Sequence, residues 1–245
     1  MRTCSHEVRR TSTLSSPDTH PIRIMLIDTP AYTTAVEKSK YLSSMKTFLA
    51  NRTDVCFEPD YFVTLYYGRS FRGGYLSPSE YRKRWDKTEV RKTHKFIRSL
   101  LHKCFPDIKM VFIMERHSET EHPTFGVVKG AFHTHLYLAE VEQYVHLAPD
   151  QLLKKNEALN KLMPYWIRWS INTGKTPGHL HDISFEYVLG KVIRTAKWVG
   201  SHPDSLDIQS IGHNEFKRTF HYGLKQIDSE DDLNERIDWN HSDLI

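Results

Sequence analysis

The chain predicts an α+β domain: an antiparallel central sheet with helices packed on it. Three observations carry this reading. YFVTLYY (61–67), IKMVFIMER (108–116) and GAFHTHLYL (130–138) are dense in β-branched and aromatic residues, as strands are. A polar loop (117–129) separates the last two, which suits an antiparallel pair. Helix signals recur around them, at 77–105, 150–172, 185–198 and 214–227.

In chain order, residues 1–20 are rich in Ser, Thr and Arg and are expected to be disordered. PIRIMLIDT (21–29) reads as a short strand and 31–50 as a helix. The folded core is expected to begin near Asp60, with the 61–67 strand ending at Gly68 and a turn-rich basic loop running from Arg69 to Gly74. Ser77-Pro78-Ser79-Glu80 is a capping box with Pro in the first turn, so one helix is expected from there to Phe105, where Pro106 stops it. Tyr81, Trp85, Ile97, Leu101 and Cys104 mark its buried side. The segment 108–116 is apolar on both faces, as a central strand would be, with Glu115 the exception. Residues 150–172 are expected to form an amphipathic helix or a helix pair broken at Pro164, with Trp166 and Trp169 in the core. A Gly-, Pro- and His-bearing loop then leads to the 185–198 helix, the 206–211 strand and a helix capped by Asn214 and running to Ile227. In that last helix Phe216, Phe220 and Ile227 form one stripe, while Tyr222 shares another face with Arg218 and Lys225. Three parts follow: an N-terminal extension (1–57), a folded domain (58–227) and an exposed acidic tail (228–245).

Charge is distributed more tellingly than its total of +4. Residues 78–105 carry nine Lys/Arg against three acids, a segment able to meet phosphates. Residues 228–245 carry seven acids against one Arg. Three widely spaced cysteines suggest neither a disulfide framework nor a Cys-based zinc site, and a reducing compartment is expected. No apolar run reaches membrane-spanning length, and no signal peptide is expected.

The chemistry concentrates in 130–138. As a strand it sends Phe132, Thr134, Leu136 and Leu138 to one face and His133, His135 and Tyr137 to the other. Two imidazoles roughly 7 Å apart on a rigid strand can share one divalent metal. With 15 His in the chain, about one His-x-His pair is expected by chance. A second pair, His179 and His181, falls in the loop. Context therefore decides.

Three segments in order resemble the HUH endonucleases, in particular the rolling-circle replication initiators. Phe62-Val63-Thr64-Leu65-Tyr66 is similar to the first motif of that family. Phe132-His133-Thr134-His135-Leu136 resembles the metal-binding second motif, although the residue between the His is usually bulky and apolar. Tyr222-Gly223-Leu224-Lys225 resembles the third, Tyr-x-x-Lys on a helix. Glu115 stands where such proteins often carry a third metal ligand. The resemblance implies an RRM-like sheet with helices packed on it, and Mn²⁺ or Mg²⁺ held by His133, His135 and Glu115. It implies Tyr222 as nucleophile, with Lys225 one turn on steadying the phosphate or the phenolate. Tyr187, with Lys191 one turn on, is the alternative nucleophile. Arg69, Arg72 and Arg218 are the candidate DNA contacts.

The implied activity is nicking and joining of single-stranded or hairpin origin DNA through a 5′-phosphotyrosine, starting rolling-circle replication of a plasmid or phage in the cytoplasm of a prokaryotic cell. Transposases and mobilisation relaxases use the same chemistry. No helicase phosphate loop is present, so a host helicase and polymerase are implied partners. Two other classes stand beside this reading. His133-x-His135 followed by Glu140 matches part of a cupin metal motif, and the same architecture could serve a non-catalytic DNA-binding module.

Overall fold

A computed structural model describes residues 43, 46, 57, 59–68, 70–71, 74–117, 121–122, 127–128, 130–174, 183–196, 199, 205–212, 215–224 and 235–243. The expected disorder of 1–20, the 21–29 strand, Arg69, Arg72, the His179/His181 pair, Asn214 and Lys225 lie outside these residues. Of the expected 31–50 helix, Ser43 and Lys46 are described, and both are helical.

The chain folds as an α+β domain. Strands β1 (Tyr61–Leu65), β2 (Ser70–Phe71), β3 (Gly74–Tyr75), β4 (Lys109–Arg116), β5 (Glu121–His122), β6 (Val127–Val128), β7 (Phe132–Ala139) and β8 (Leu206–Ser210) occur in that order. β4, β7, β1 and β8 form one sheet in the order β4-β7-β1-β8, every pair antiparallel. β2–β3 and β5–β6 are two-residue hairpin ladders beside it. The helices are α1 (Pro78–Arg84), α2 (Lys87–Cys104), α3 (Glu142–Val145), α4 (Pro149–Lys155), α5 (Glu157–Leu162), α6 (Tyr165–Thr173), α7 (Phe185–Arg194) and α8 (Phe216–Gly223).

Alternation divides the sheet into two apolar faces. On the back, Met110, Phe112, Val63, Leu65, Leu136 and Leu138 meet Ile97 and Leu101 of α2, Leu159 of α5, Ile167 of α6 and Val188, Leu189 and Val192 of α7. On the front, Phe62, Val111, Ile113, Tyr137 and Ala139 meet Phe220 and Leu224 from the α8 segment and Ile237 near the C-terminus. Helices therefore cover both faces of the sheet.

Four expectations are corrected. The helix foreseen from Ser77 to Phe105 is two: the Ser77–Glu80 capping box starts α1, and Asp86 restarts the chain as α2 by accepting the Glu89 amide at 2.9 Å. The 150–172 stretch is three helices, because Asn156 caps α5 by accepting the Leu159 amide at 2.9 Å, in addition to the break at Pro164. Trp166 and Trp169 are each 42% exposed. α6 is anchored by Ile167 and Ile171 instead, one turn apart on its other side.

The fourth correction concerns β4 and the acidic tail. β4 stands at the end of the sheet order, not at its centre. Its outer edge is covered by the segment 235–243, which was expected to be exposed. Ile237 bridges Ile113, the Asp238 amide donates to the Phe112 carbonyl at 3.0 Å, and the Asp243 amide donates to the Met110 carbonyl at 2.7 Å. Ile237 and Asp238 are fully buried. The same segment engages the basic α2: Lys87 pairs with Glu235 at 3.0 Å and Arg98 with Asp243 at 2.5 Å. A strand edge with unpaired backbone groups is thus closed within the chain.

Candidate metal centre

β7 lies between β4 and β1, and register fixes what meets on the front face. His133 is directly opposite Glu115, and His135 is opposite both Ile113 and Thr64. The long 117–129 connection leaves this pairing intact, since the His117 amide donates to the Ala131 carbonyl and the Gly130 amide to the His117 carbonyl, each at 2.9 Å. Gly130 at φ 79° makes the turn into β7.

The three side chains converge. Glu115 Oε2 is 2.6 Å from His135 Nε2 and 3.4 Å from His133 Nε2, and the two Nε2 atoms are 3.1 Å apart. All three residues are buried, and their ligand atoms lie within 4.8 Å of one another. Burial alone would raise the Glu115 carboxyl, but hydrogen bonds from His133 and His135 outweigh it and hold the group ionised, well below the usual carboxylate range. Two imidazole nitrogens and one carboxylate oxygen suit a divalent cation and leave further coordination positions open. The surroundings fit that use. His135 Nδ1 is 3.4 Å from Thr64 Oγ1, so its other nitrogen is turned toward the cluster. Rings wall the centre: Phe62 stacks on His135 at 5.0 Å, and Tyr66 and His117 stack on His133 at 5.6 and 4.3 Å.

α8 brings Tyr222 to this group. Phe220 and Leu224 anchor the helix to the front face, and the Tyr137 hydroxyl donates to the Thr219 carbonyl at 2.8 Å. Gly223 permits the close approach, because a Cβ there would lie 2.8 Å from that same hydroxyl. The Tyr222 ring comes to rest 5.8 Å from the His135 ring, tilted by 67° and half exposed.

Tyr187 is placed elsewhere. α7 packs on the back of the sheet: a Cβ at Gly190 would lie 3.5 Å from Ile208 and 3.7 Å from Leu206. Those β8 residues alternate with Asp207, which is paired with Thr64 on the front. Tyr187 stacks under Lys191 at 5.1 Å on this opposite layer. The structure therefore brings together Glu115, His133, His135 and Tyr222, and separates Tyr187 and Lys191 from them. Arg218 lies within α8.

Sequence reasoning missed the ring wall. Parity held the signal: Phe62 and Tyr66 alternate with Thr64 in phase, and His117 is two residues beyond Glu115. It also missed His94 and Asp238, which meet behind the sheet although 144 residues apart.

No family model, curated protein or solved structure matches the chain. Among the described residues, no helix is long and apolar enough to cross a membrane.

Proposed function

We propose that this protein is a metal-dependent endonuclease and strand transferase of the HUH kind, which nicks and rejoins single-stranded DNA through Tyr222 to initiate rolling-circle replication. The observation that carries the reading is the half-exposed Tyr222 ring beside His135, over the convergent Glu115–His133–His135 group. A phenol next to a carboxylate–imidazole metal centre on an accessible surface suits attack on a phosphodiester.

Glu115, His133 and His135 would hold Mn²⁺ or Mg²⁺, which when bound polarises the scissile phosphate and offsets its charge. The Tyr222 oxygen attacks phosphorus and the phenol proton leaves to solvent. The bond from phosphorus to the 3′ oxygen breaks and that oxygen takes a proton from solvent, giving a 3′-hydroxyl end and a 5′-phosphotyrosine. Attack by a 3′-hydroxyl on that linkage reverses the step and joins the strands. Lys225, three residues after Tyr222 in the sequence, would steady the phosphate. Tyr66 and His117, stacked at the rim, offer ring surfaces for unpaired bases. Tyr187 remains the alternative nucleophile only if the DNA is cut on the other layer of the domain. The α+β sheet is unlike the all-β fold that a cupin-like reading requires.

The test is a covalent adduct. Labelled single-stranded DNA carrying a candidate origin hairpin is incubated with protein and Mn²⁺, then denatured. Wild type is expected to carry the label, and Tyr222→Phe and His135→Ala are expected to lose it. Metal binding without an adduct on any origin strand would favour the non-catalytic binding module.

A further inference from the structure

Thr134 stands between the two His yet faces the other way, into the back of the sheet, where it is completely buried. Its hydroxyl lies 2.8 Å from His94 Nε2 and 2.5 Å from the Tyr67 hydroxyl. His94, itself fully buried in α2, places Nδ1 2.7 Å from Asp238 Oδ2, and the same oxygen lies 2.9 Å from His241 Nδ1. The Tyr67 hydroxyl also lies 3.3 Å from His94 Nε2, and the proton assignment that follows the shorter contacts satisfies every member. The Tyr67 hydroxyl donates to Thr134, the Thr134 hydroxyl donates to His94 Nε2, and His94 Nδ1–H donates to Asp238. That assignment needs a neutral His94, and burial depresses its basicity in spite of the carboxylate.

The order carboxylate, imidazole, hydroxyl is that of a nucleophilic triad. Here it cannot act as one, because Thr134, His94 and Asp238 have no exposed surface for a substrate to reach. Its output is positional. A strand held at Thr134 has both its neighbours held, since His133 and His135 are each about 3.3 Å along the chain from it. A metal site tolerates displacements of only about 0.5 Å.

We infer that Thr134, His94 and Asp238 are positioning residues for the metal centre, locking the His133–His135 strand from behind and tying its geometry to the C-terminal segment. This rests on the metal-site reading of Glu115, His133 and His135. It also accounts for Thr at a place where the resembling family usually carries a bulky apolar residue. An apolar side chain would fill the space but leave His94 and Tyr67 without their shared partner.

The test is Mn²⁺ titration of the full metal-free chain by calorimetry, with each variant held well below its own unfolding midpoint. Losing outer partners of ligands typically costs about 10–100-fold in affinity, so Thr134→Val and Asp238→Ala are each expected to bind about tenfold more weakly. Thr134→Ser and Asp238→Asn keep the acceptors and are expected to stay within about threefold of wild type. Thr134→Val should need about tenfold more Mn²⁺ than wild type for half-maximal adduct formation and reach it at saturation, whereas a merely destabilised variant, kept folded below its midpoint, would need the wild-type concentration. Wild-type affinity in Thr134→Val and Asp238→Ala, with only a lowered unfolding midpoint, would overturn the inference and leave the metal site standing. Absence of Mn²⁺ binding by the wild type would overturn the metal-site reading itself, and this inference with it. Should Thr134→Val fail to fold, the Asp238→Ala and Asp238→Asn pair decides by the same criterion.

Discussion

The hydroxyl of Tyr137 occupies the space in which a side chain on Gly223 would begin, 2.8 Å from the ideal Cβ position. Tyr137 is fully buried and its hydroxyl is committed to the Thr219 carbonyl, so the ring has little room to yield. The sheet face thus sets how closely α8 may approach, and Tyr222 precedes the contact residue.

Gly223→Ala should therefore lift the end of α8. Overpacking of this kind costs about 1–3 kcal/mol. Adduct formation is expected to fall at least about tenfold while Mn²⁺ affinity is unchanged, as a misplacement of about 1 Å can cost far more than that in rate. Tyr137→Phe removes the obstructing oxygen, so the Gly223→Ala/Tyr137→Phe pair should recover part of the loss. Equal activity of Gly223→Ala and wild type would contradict the seating argument.

Chelation with EDTA should abolish nicking, and added Mn²⁺ should restore it. His135→Ala removes a ligand outright and should cost more than the about 10–100-fold typical of outer partners. Titration of metal into each protein checks this. Undiminished affinity in His135→Ala would place the metal elsewhere.

Acidification should destabilise the metal-free fold in two stages. Burial lowers the His94 basicity in the folded state, so the unfolded chain binds protons first as pH falls below about 6.5, and stability falls with it. Burial would raise the Asp238 carboxyl, but bonds from His241 and His94 outweigh it and keep the group low. Its contribution is complete above the unfolded value of about 3.9 and is lost as pH falls below it. Unfolding midpoints measured from pH 8 to 5 should decline below about pH 6.5 in wild type and decline less in His94→Gln. Identical slopes for the two proteins would show that His94 is not the group responsible.

Removing residues 235–245 should expose the edge of β4. It takes away the fully buried Ile237 and Asp238, and the partners of the Met110 and Phe112 backbone. Loss of one large buried aliphatic side chain alone costs about 2–5 kcal/mol. Chemical denaturation should show a loss of at least that size, with increased self-association through the opened strand. A truncated chain as stable as wild type would mean that this segment is dispensable.

The front of the sheet was legible in the sequence because it rests on local alternation. β7 carried its two His in phase, and β1 and β4 announced themselves by β-branched and aromatic content. Antiparallel pairing then placed Glu115 opposite His133. What escaped was tertiary. Nothing local to His94 points to Asp238, and a segment with seven acids reads as solvated until Ile237 and Asp238 are seen against β4. The break at Asp86 was missed for a different reason: the basic residues on both sides continue one composition, and only the cap marks the restart. The two-faced apolar pattern of β4 signalled burial on both sides, which an edge strand acquires here because α8 and the C-terminal segment cover it.

The central claim is that Tyr222 is the attacking group over the Glu115–His133–His135 centre. The direct measurement is mass-spectrometric mapping of the protein–DNA adduct after protease and nuclease digestion. A nucleotide-modified peptide containing Tyr222, absent in His135→Ala, is the expected result. Modification on Tyr187, or an adduct that persists in Tyr222→Phe, would contradict it.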